Sequence, residues 1–467
     1  MKNTAYLVMV LMVCGLAAVS RAAAAELTAG VAVVDITPPV GYRMAGYFNE
    51  RLATGTSDPL RAKAIVLRQG DQRVAIVFCD LLGIAPEVSS TARNEAAKKT
   101  GIAARSIVIA ATHSHTGPMY WDAMRTHYHQ RALDEQGKDP NETVDYAAEL
   151  ARKIVNAIAA ADARSRPANL SAASVEERGL SFNRRFHMKD GSVRFNPGVL
   201  NPQIVRAAGP VDPQVGIVMV RDAADDSALA AVVNFALHLD TTGGTMYSAD
   251  YPFYAERALR EDLGNQLTLF FGTGACGDIN HLDVTTTERR NAEQIGKTLA
   301  AAVKRGLPTL GNIAEPSLAM RSQIVRVPLQ TCAPEKIAWA KENIANVGTG
   351  RLPFLQEVEA YKILSLQDRG GDTIALEVQV VRLSRDVAIV CLPGEVFSEL
   401  GLAIKKASPF KTTLVVELCN DDPDYIPTNK AFGEGSYETV NSRIAPGGGE
   451  RMAQTAIDLL KELAGGQ

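Results

Sequence analysis

Apolar strand-like runs and helix-like segments alternate along most of this 467-residue chain, and this alternation limits the possible folds more than any other feature. Short β-branched apolar runs are typical of buried strands, whereas apolar residues at every third or fourth position indicate helices. The runs that predict strands are 31–35, 64–67, 74–79, 107–111, 216–220, 230–237, 267–271, 373–383, 387–392 and 413–418. The segments that predict helices are 88–99, 144–161, 254–263, 289–303, 397–406 and 451–463. We therefore expect an α/β fold with layered β-sheets flanked by helices.

The segment 330–370 departs from this alternation because it is more polar and helical throughout. It predicts a cap or an excursion from the layered core. The chain shows neither an internal repeat nor a linker rich in proline and serine, so we expect a single large domain.

Residues 1–25 have the parts of a secretory signal peptide: a charged start at Lys2, an apolar stretch, and small residues up to Ala25. We predict cleavage after Ala25 and an exported mature chain of residues 26–467, either periplasmic or secreted. No convincing lipobox precedes Cys14, which favours a soluble exported protein over a lipoprotein. No later stretch is apolar for long enough to cross a bilayer.

Charge and cysteine content argue against two classes of site. Removing residues 1–25, which hold two basic residues and no acid, changes the formal net charge from −3 to −5. A mildly acidic chain without blocks of lysine and arginine is not expected to bind nucleic acid. Five cysteines remain, and those in apolar runs, such as Cys79 and Cys391, indicate buried thiols. No CxxC pair is present, so a zinc site built from cysteines is not expected.

Two histidines, His113 and His115, stand where the apolar run 106–111 ends. Side chains two positions apart on extended backbone point the same way, and Gly117-Pro118 then breaks the chain into a loop. The carboxyl ends of strands in open α/β sheets are where ligands and catalytic groups collect. Imidazoles there can bind a metal or transfer protons, although the same residues also fit an ordinary polar surface loop.

Polar groups follow other apolar runs in the same way. His238 ends the run 232–237, where a structural histidine is the alternative interpretation. Glycines within 272–277 allow the backbone around Asp278 to come close to a ligand, but their spacing fits neither a dinucleotide nor a phosphate loop. Glu395 follows a Pro-Gly pair ahead of a predicted helix, where it would either bind a metal or complement the helix dipole.

The order of these elements resembles the catalytic region of the neutral/alkaline (non-lysosomal) ceramidases, and the resemblance extends over nearly the whole mature chain. The most specific matches are Ala111-Thr112-His113-Ser114-His115-Thr116-Gly117-Pro118 and Pro393-Gly394-Glu395. The other matches are at 30–38, 44–47, 182–184, 234–238, 277–278, 425–428 and 437–438.

This resemblance implies a zinc ion held by four side chains, which are His113, His238, Glu395 and Tyr425. It places three further groups around the scissile amide, which are His115, Arg184 and Tyr437. We expect Asp278 and Asn280 to contact the substrate. Two imidazoles and a carboxylate form a common hydrolytic zinc set with room left for water, which agrees with the implied site.

Two features depart from the family pattern. The family's GD-x-S-P element carries a serine proposed as catalytic, whereas 277–281 reads Gly-Asp-Ile-Asn-His, and Asn280 cannot act as a hydroxyl nucleophile. The chain also stops soon after the catalytic region, so we expect no C-terminal immunoglobulin-like domain.

These observations favour an exported Zn²⁺ hydrolase, a single large catalytic domain, that cleaves an amide such as that of N-acyl sphingosine (ceramide) or a related N-acyl lipid. Zinc would lower the pKa of bound water from roughly 16 toward 7, His115 would protonate the leaving amine, and either Arg184 or zinc would stabilise the oxyanion. Two alternatives remain: the same zinc site acting on an ester or a carbohydrate derivative, and a non-catalytic exported binding protein. The partner is then a small-molecule or lipid substrate. A transient contact with a membrane surface stays open, because no amphipathic basic helix is recognisable.

Overall fold

The computed structural model describes residues 25–465. Residues 1–24 of the predicted signal peptide lie outside this range, so cleavage after Ala25 and export stay predictions. Across residues 25–465, none of the helices has the length and hydrophobicity needed to cross a bilayer.

Every strand and helix predicted above is present, with its ends shifted by a few residues. The strands are β1 (Leu27–Asp35), β2 (Gly55–Thr56), β3 (Arg61–Gln69), β4 (Gln72–Cys79), β5 (Ile107–Ala111), β6 (Arg166–Glu176), β7 (Phe182–Asn183), β8 (Arg185–Met188), β9 (Val193–Phe195), β10 (Ile204–Ala207), β11 (Gln214–Asp222), β12 (Ala228–Phe235), β13 (Met246–Tyr247), β14 (Thr268–Thr273), β15 (Ile279–Asn280), β16 (Gly311–Asn312), β17 (Ala319–Pro328), β18 (Thr373–Arg382), β19 (Val387–Cys391), β20 (Glu395–Val396), β21 (Thr412–Val416) and β22 (Tyr425–Ile426). The helices are α1 (Pro86–Thr100), α2 (Asp122–Gln136), α3 (Tyr146–Ala163), α4 (Tyr251–Leu263), α5 (Ala292–Gly306), α6 (Pro334–Asn343), α7 (Phe354–Arg369), α8 (Ser398–Ala407), α9 (Asn429–Glu434), α10 (Tyr437–Val440) and α11 (Gly448–Gly465).

Two sheets lie between two helical layers. The larger sheet has the strand order β14-β12-β11-β6-β1-β3-β4-β5, and the smaller one has the order β17-β18-β19-β21. One apolar cluster lies between the sheets and includes Phe78 and Phe270 from the larger sheet and Ile389 and Leu414 from the smaller. Helices α1, α3, α4 and α5 cover the other face of the larger sheet, and α8 and α11 cover that of the smaller. These four layers confirm the predicted α/β architecture of layered sheets flanked by helices.

The central strands are buried on both faces, which explains their continuous apolar sequences. Along β3, Ile65 and Leu67 face the smaller sheet, whereas Ala64 and Val66 face the helices. Strands β6 and β17 lack such a run because both are partly exposed, and for this reason the apolar pattern does not reveal them. Within the segment 330–370, α6 and α7 form the predicted excursion, which leaves the smaller sheet after β17 and returns at β18.

Neighbouring parallel strands bring the chemically interesting loops to one edge of the sheets. The parallel pairs are β4 with β5, β12 with β14, and β19 with β21. The loops after β5, β12, β14 and β19 carry His113, His238, Asp278 and Glu395, in that order. An isolated parallel bridge between Ser114 and Leu239 joins the first two of these loops. Polar groups that are far apart in the sequence therefore meet in one place.

Candidate active site

The histidine loop after β5 follows a strained path. His113 has a φ of 75°, a left-handed conformation that is uncommon for residues other than glycine and that clusters at functional sites. The backbone N–H of His113 donates to the carbonyl of Leu81 at 2.9 Å, which holds this conformation. Because the bridge between Ser114 and Leu239 is parallel, the residues that precede them lie side by side. The rings of His113 and His238 are consequently 4.6 Å apart.

A backbone carbonyl orients each of three imidazoles. The Nδ1 contacts run from His113 to Leu82 (2.9 Å), from His115 to Gly46 (2.8 Å) and from His238 to Cys276 (3.0 Å). Since a carbonyl only accepts, Nδ1 carries a proton in each ring, and the Nε2 atoms are left to bind a metal. Nε2 of His115 lies 3.2 Å from Nε2 of His113, and the candidate ligand atoms of the three histidines all lie within 4.8 Å of one another.

Glu395 completes the convergence. Its Oε2 lies 3.3 Å from Nε2 of His113 and 3.2 Å from Nε2 of His238, yet neither contact has hydrogen-bond geometry. Glu395 is only 6% exposed, and its Oε2 accepts no hydrogen bond. A buried carboxylate oxygen without a hydrogen bond is costly unless a cation lies beside it. A tetrahedral zinc ion with bonds of about 2.0–2.1 Å separates its ligands by about 3.3 Å. The donor atoms and their spacing therefore fit zinc.

The fourth predicted ligand, Tyr425, is placed beside Glu395 by the short parallel pairing of β20 with β22, in which these two residues are direct partners. The hydroxyl of Tyr425 donates to that of Tyr437 at 3.3 Å. Burial raises the pKa of both phenols well above the usual value, so both hydroxyls keep their protons at neutral pH. Coordination by Tyr425 would thus require a cation to displace its proton.

Charge is unevenly distributed over the cluster. Burial lowers the pKa of His115 to about 3 and that of His238 to about 4, assisted by the positive charges of His113 and Arg184 respectively. Burial acts on His113 in the same direction, but the neighbouring Glu395 carboxylate outweighs it and raises the pKa of His113 to about 9. Without a metal, the three imidazoles therefore carry one positive charge at neutral pH, which belongs to the doubly protonated His113.

Zinc uptake is accordingly expected to release a proton. The ion and the proton compete for the same nitrogen of His113, so this proton alone should make the affinity for zinc rise about tenfold per pH unit up to about pH 9, and displacement of the Tyr425 proton would add to that rise. Competition with a chelator of known affinity at several pH values measures this dependence. An affinity that does not change between about pH 6 and about pH 8 would contradict the assignment of this proton to His113.

Arg184 is fixed through three of its nitrogens. Nε donates to Glu438 at 2.9 Å, Nη2 to the Gly277 carbonyl at 2.7 Å, and Nη1 to Nε2 of His238 at 3.0 Å. Glu438 is fully buried and also accepts a hydrogen bond from Arg185 at 2.9 Å. Nη1 is the one guanidinium nitrogen here without a carboxylate or carbonyl acceptor. It is therefore the nitrogen that can turn to a substrate oxygen.

A cavity of about 80 Å³ opens onto the cluster. Its lining consists of Ala45, Gly46, Tyr47, Phe48, Leu82, His113, His115, Met119, Asp122, Met124, Tyr361, Glu395, Asp424, Tyr425, Tyr437 and Asn441. Tyr437 packs against Phe195 and Phe354, with ring centroids 4.7 and 5.3 Å away, and Phe354 is 44% exposed. Helix α7 supplies both Tyr361 and Phe354, so the excursion also acts as the predicted cap over the site.

Asp278 and Asn280 lie behind Arg184 and are not among the cavity-lining residues. The Asp278 carboxylate accepts the backbone N–H of Ser398 (2.8 Å) and the side-chain amide N–H of Asn183 (2.7 Å). The Asn280 side chain donates to Asn196 (2.8 Å) and accepts the backbone N–H of Leu282 (3.0 Å). The carbonyl of Asp278 accepts the backbone N–H of Arg184 at 2.9 Å. Both residues therefore support the segment that carries Arg184, and their contact with a substrate stays a prediction.

Glu438 is a site residue that the sequence analysis missed, although it directly follows the predicted Tyr437. It pairs with both Arg184 and Arg185, and its side chain is 0% exposed. Two adjacent arginines at the end of a short strand could have pointed to such a partner, because a buried guanidinium needs a buried acid.

A second group of possible metal ligands, His129, Asp139 and Glu142, lies elsewhere in the described residues. Arg43 donates to both carboxylates, at 2.5 and 3.3 Å, and Arg125 pairs with Glu142. These cations already neutralise the acids, so this group is an ion-pair network.

Comparison with known proteins agrees with the fold and the motifs. Residues 27–266, just over half of the chain, match the family profile described as neutral/alkaline non-lysosomal ceramidase, N-terminal. The structure is similar to a crystal structure of neutral ceramidase from Pseudomonas aeruginosa, with a TM-score of 0.70 and 20% identity, over 94% of this chain and 75% of that one. It is also similar to a ceramidase complexed with C2, with a TM-score of 0.68, 18% identity and the same coverage of 94% and 75%. No curated protein sequence matches the chain.

Proposed function

This chain belongs to the neutral/alkaline non-lysosomal ceramidase family, and on that basis we propose that it is an exported zinc hydrolase that cleaves the amide bond of an N-acyl lipid such as ceramide. The observation that carries the proposal is the convergence of Nε2 of His113, Nε2 of His238 and Oε2 of Glu395 beside the cavity. Export rests on the sequence of residues 1–25 alone.

The residues that would hold the zinc ion are His113, His238, Glu395 and Tyr425. The ion, when bound, supplies the means to activate water at neutral pH and to polarise the amide carbonyl. The carbonyl contacts hold the two imidazole rings, and the pairing of β20 with β22 fixes the backbone of Glu395 and Tyr425, before any ligand arrives. Such preorganisation is what a hydrolytic site requires.

The remaining site residues take part through protons and hydrogen bonds. Neutral His115 accepts a proton from the attacking water at Nε2 and passes it to the leaving amine nitrogen. Nη1 of Arg184 and the hydroxyl of Tyr437 donate hydrogen bonds to the carbonyl oxygen as negative charge develops on it. Burial keeps the pKa of Tyr437 raised, so its hydroxyl stays a donor throughout.

The cavity supports an apolar acyl substrate. Phe48, Met119 and Met124 contribute apolar surface close to His115. Its volume is about 80 Å³. Pockets that enclose a whole ligand are much larger, with volumes of about 300–1,000 Å³. It therefore accommodates the amide and its nearest carbons, while longer chains extend past Tyr437 toward Phe195 and Phe354, which pack against it.

Metal analysis followed by an assay on three substrate classes tests the proposal. We expect zinc in the purified protein, hydrolysis of N-acyl sphingosine, loss of that activity on chelation and its return on adding zinc. Parallel assays use a fatty ester and a chromogenic glycoside. Cleavage of only the ester or only the glycoside would support the alternative substrates, and zinc binding without any hydrolysis would support a binding protein.

A covalent mechanism through the family's serine position is not expected. Asn280 bonds to Asn196 and to the backbone of Leu282, so its amide is held away from the cavity. The Asn280→Ala protein should keep measurable turnover, and single-turnover reactions should show neither a burst nor an acylated protein by intact mass. The Asn196→Ala variant breaks one of the same hydrogen bonds and is the matched control.

Two other serines near the histidines also have hydroxyls that donate hydrogen bonds within the protein. Ser114 donates to the carbonyl of Ser248 at 2.6 Å, and Ser248 donates to Asp58 at 2.7 Å. Both serines are at most 1% exposed. An acyl adduct trapped on either hydroxyl would contradict direct attack by water.

A further inference from the structure

A buried glutamate, Glu417, lies behind the candidate metal site and contacts two of the loops that build it. It directly follows β21, in the otherwise apolar run of residues 414–419, and its side chain is 0% exposed. Its own backbone N–H donates to the carbonyl of Thr273 at 2.9 Å, at the end of β14. A carboxyl group in such a position is costly unless its oxygens are hydrogen-bonded, so its partners indicate its role.

The first contact of Glu417 reaches the loop that carries Glu395. Oε2 of Glu417 accepts the backbone N–H of Val396, the residue next to Glu395, at 2.7 Å. The carbonyl of Val396 in turn accepts the N–H of Gly277 at 2.9 Å. A Cβ atom at Gly277 would lie 2.4 Å from the Glu395 carbonyl, so only glycine allows these two loops to approach so closely.

The second contact reaches the loop that orients His238. The carboxyl of Glu417 accepts both the N–H of Cys276, at 3.2 Å, and its thiol, at 3.0 Å. The carbonyl of Cys276 accepts Nδ1 of His238 at 3.0 Å. Glu395 is therefore one residue away from a direct partner of Glu417, and His238 is one hydrogen bond away from the other.

We propose that Glu417 is a positioning residue that joins the Cys276 and Val396 loops and thereby sets the orientation of His238 and Glu395 for metal binding. This inference rests on the proposed function, because it takes these two side chains as zinc ligands. Burial raises the pKa of Glu417 well above its usual value. A glutamine in its place retains the carbonyl oxygen for the two N–H groups.

The affinity of the full chain for zinc, measured by chelator competition without substrate, tests this role. Partners that orient metal ligands typically account for about 10–100-fold in affinity, and we expect a loss of that size in Glu417→Ala. The Glu417→Gln protein should bind zinc like the wild type. Glu417→Asp, one methylene shorter, cannot reach both loops and should lose affinity like the alanine variant. The absorption spectrum of bound Co²⁺ should change in the aspartate and alanine variants and stay unchanged in the glutamine variant.

Gln379→Ala is the matched control, because Gln379 is also 0% exposed and bonds to Arg105 and Asn420 rather than to Cys276 or Val396. It should lower the thermal midpoint without changing zinc affinity. Wild-type affinity in Glu417→Ala or Glu417→Asp would overturn the proposal, and so would a glutamine variant as impaired as alanine. If Glu417→Ala does not fold, the zinc affinities of Glu417→Asp and Glu417→Gln are compared instead, and equal affinities would overturn the proposal. Wild-type protein that binds no zinc would instead refute the proposed function.

Discussion

The His238→Ala protein is expected to contain no zinc and to show no amide hydrolysis above background. His238 is fully buried, its Nδ1 is held by the Cys276 carbonyl, and its Nε2 lies 3.2 Å from Oε2 of Glu395. Removing it deletes one ligand and leaves the Glu395 carboxylate with one neighbour fewer. The loss of zinc affinity should be larger than the loss of about 10–100-fold that is typical when a residue that only orients a ligand is removed.

Metal analysis of the purified variant and an assay on N-acyl sphingosine measure the two losses together. His129→Ala serves as the control, since His129 belongs to the separate ion-pair network with Asp139 and should keep both zinc and activity. The same double loss is expected for His113→Ala and Glu395→Ala. Full zinc occupancy in the His238→Ala protein would exclude His238 from the metal site.

The second large effect is expected from His115→Ala, which should keep zinc but lose rate by about 10²–10⁴-fold, the usual contribution of a proton-transferring group. Nε2 of His115 lies 3.2 Å from Nε2 of His113, whereas the Glu395 contacts involve only the other two imidazoles. The loss should be larger for an amide than for an ester with a good leaving group, because only the amine must be protonated to leave.

Zinc content and the rates on a matched amide and ester, across a range of pH, check this assignment. The limb of the pH profile that reports the proton-transferring group should disappear in the variant. Loss of zinc from His115→Ala would instead make His115 a ligand. That outcome would agree with the grouping of its nitrogen with those of His113 and His238 within 4.8 Å.

The regular elements were predictable because their signals are local. Runs such as 107–111 and 387–392 are apolar in every position, since both faces of their strands are buried, and both are strands in the structure. β6 was not predictable in this way, because its partly exposed face breaks the apolar run. The burial of a strand's second face depends on what packs there, and the sequence of the strand does not contain that information.

The candidate ligands were also accessible from the sequence, because each follows a strand and belongs to a motif with characteristic neighbours. His113 and His238 end up with rings 4.6 Å apart, as expected for loops at one edge of a sheet. Their roles as ligands stay predictions. Asn280, which the sequence analysis expected to contact the substrate, has its side-chain amide bonded to Asn196 rather than directed to the cavity.

The sequence by itself determined the α/β class, the strand ends that carry polar groups, and the family to which the chain belongs, because these depend on local periodicity and short motifs. Only the tertiary structure decided which side chains hold those groups in place. Glu438 reaches Arg184 across 254 positions, and Glu417 reaches Cys276 across 141. Such pairs form when the packing of two sheets brings remote loops together, and there the low dielectric surroundings require every buried acid to find a partner.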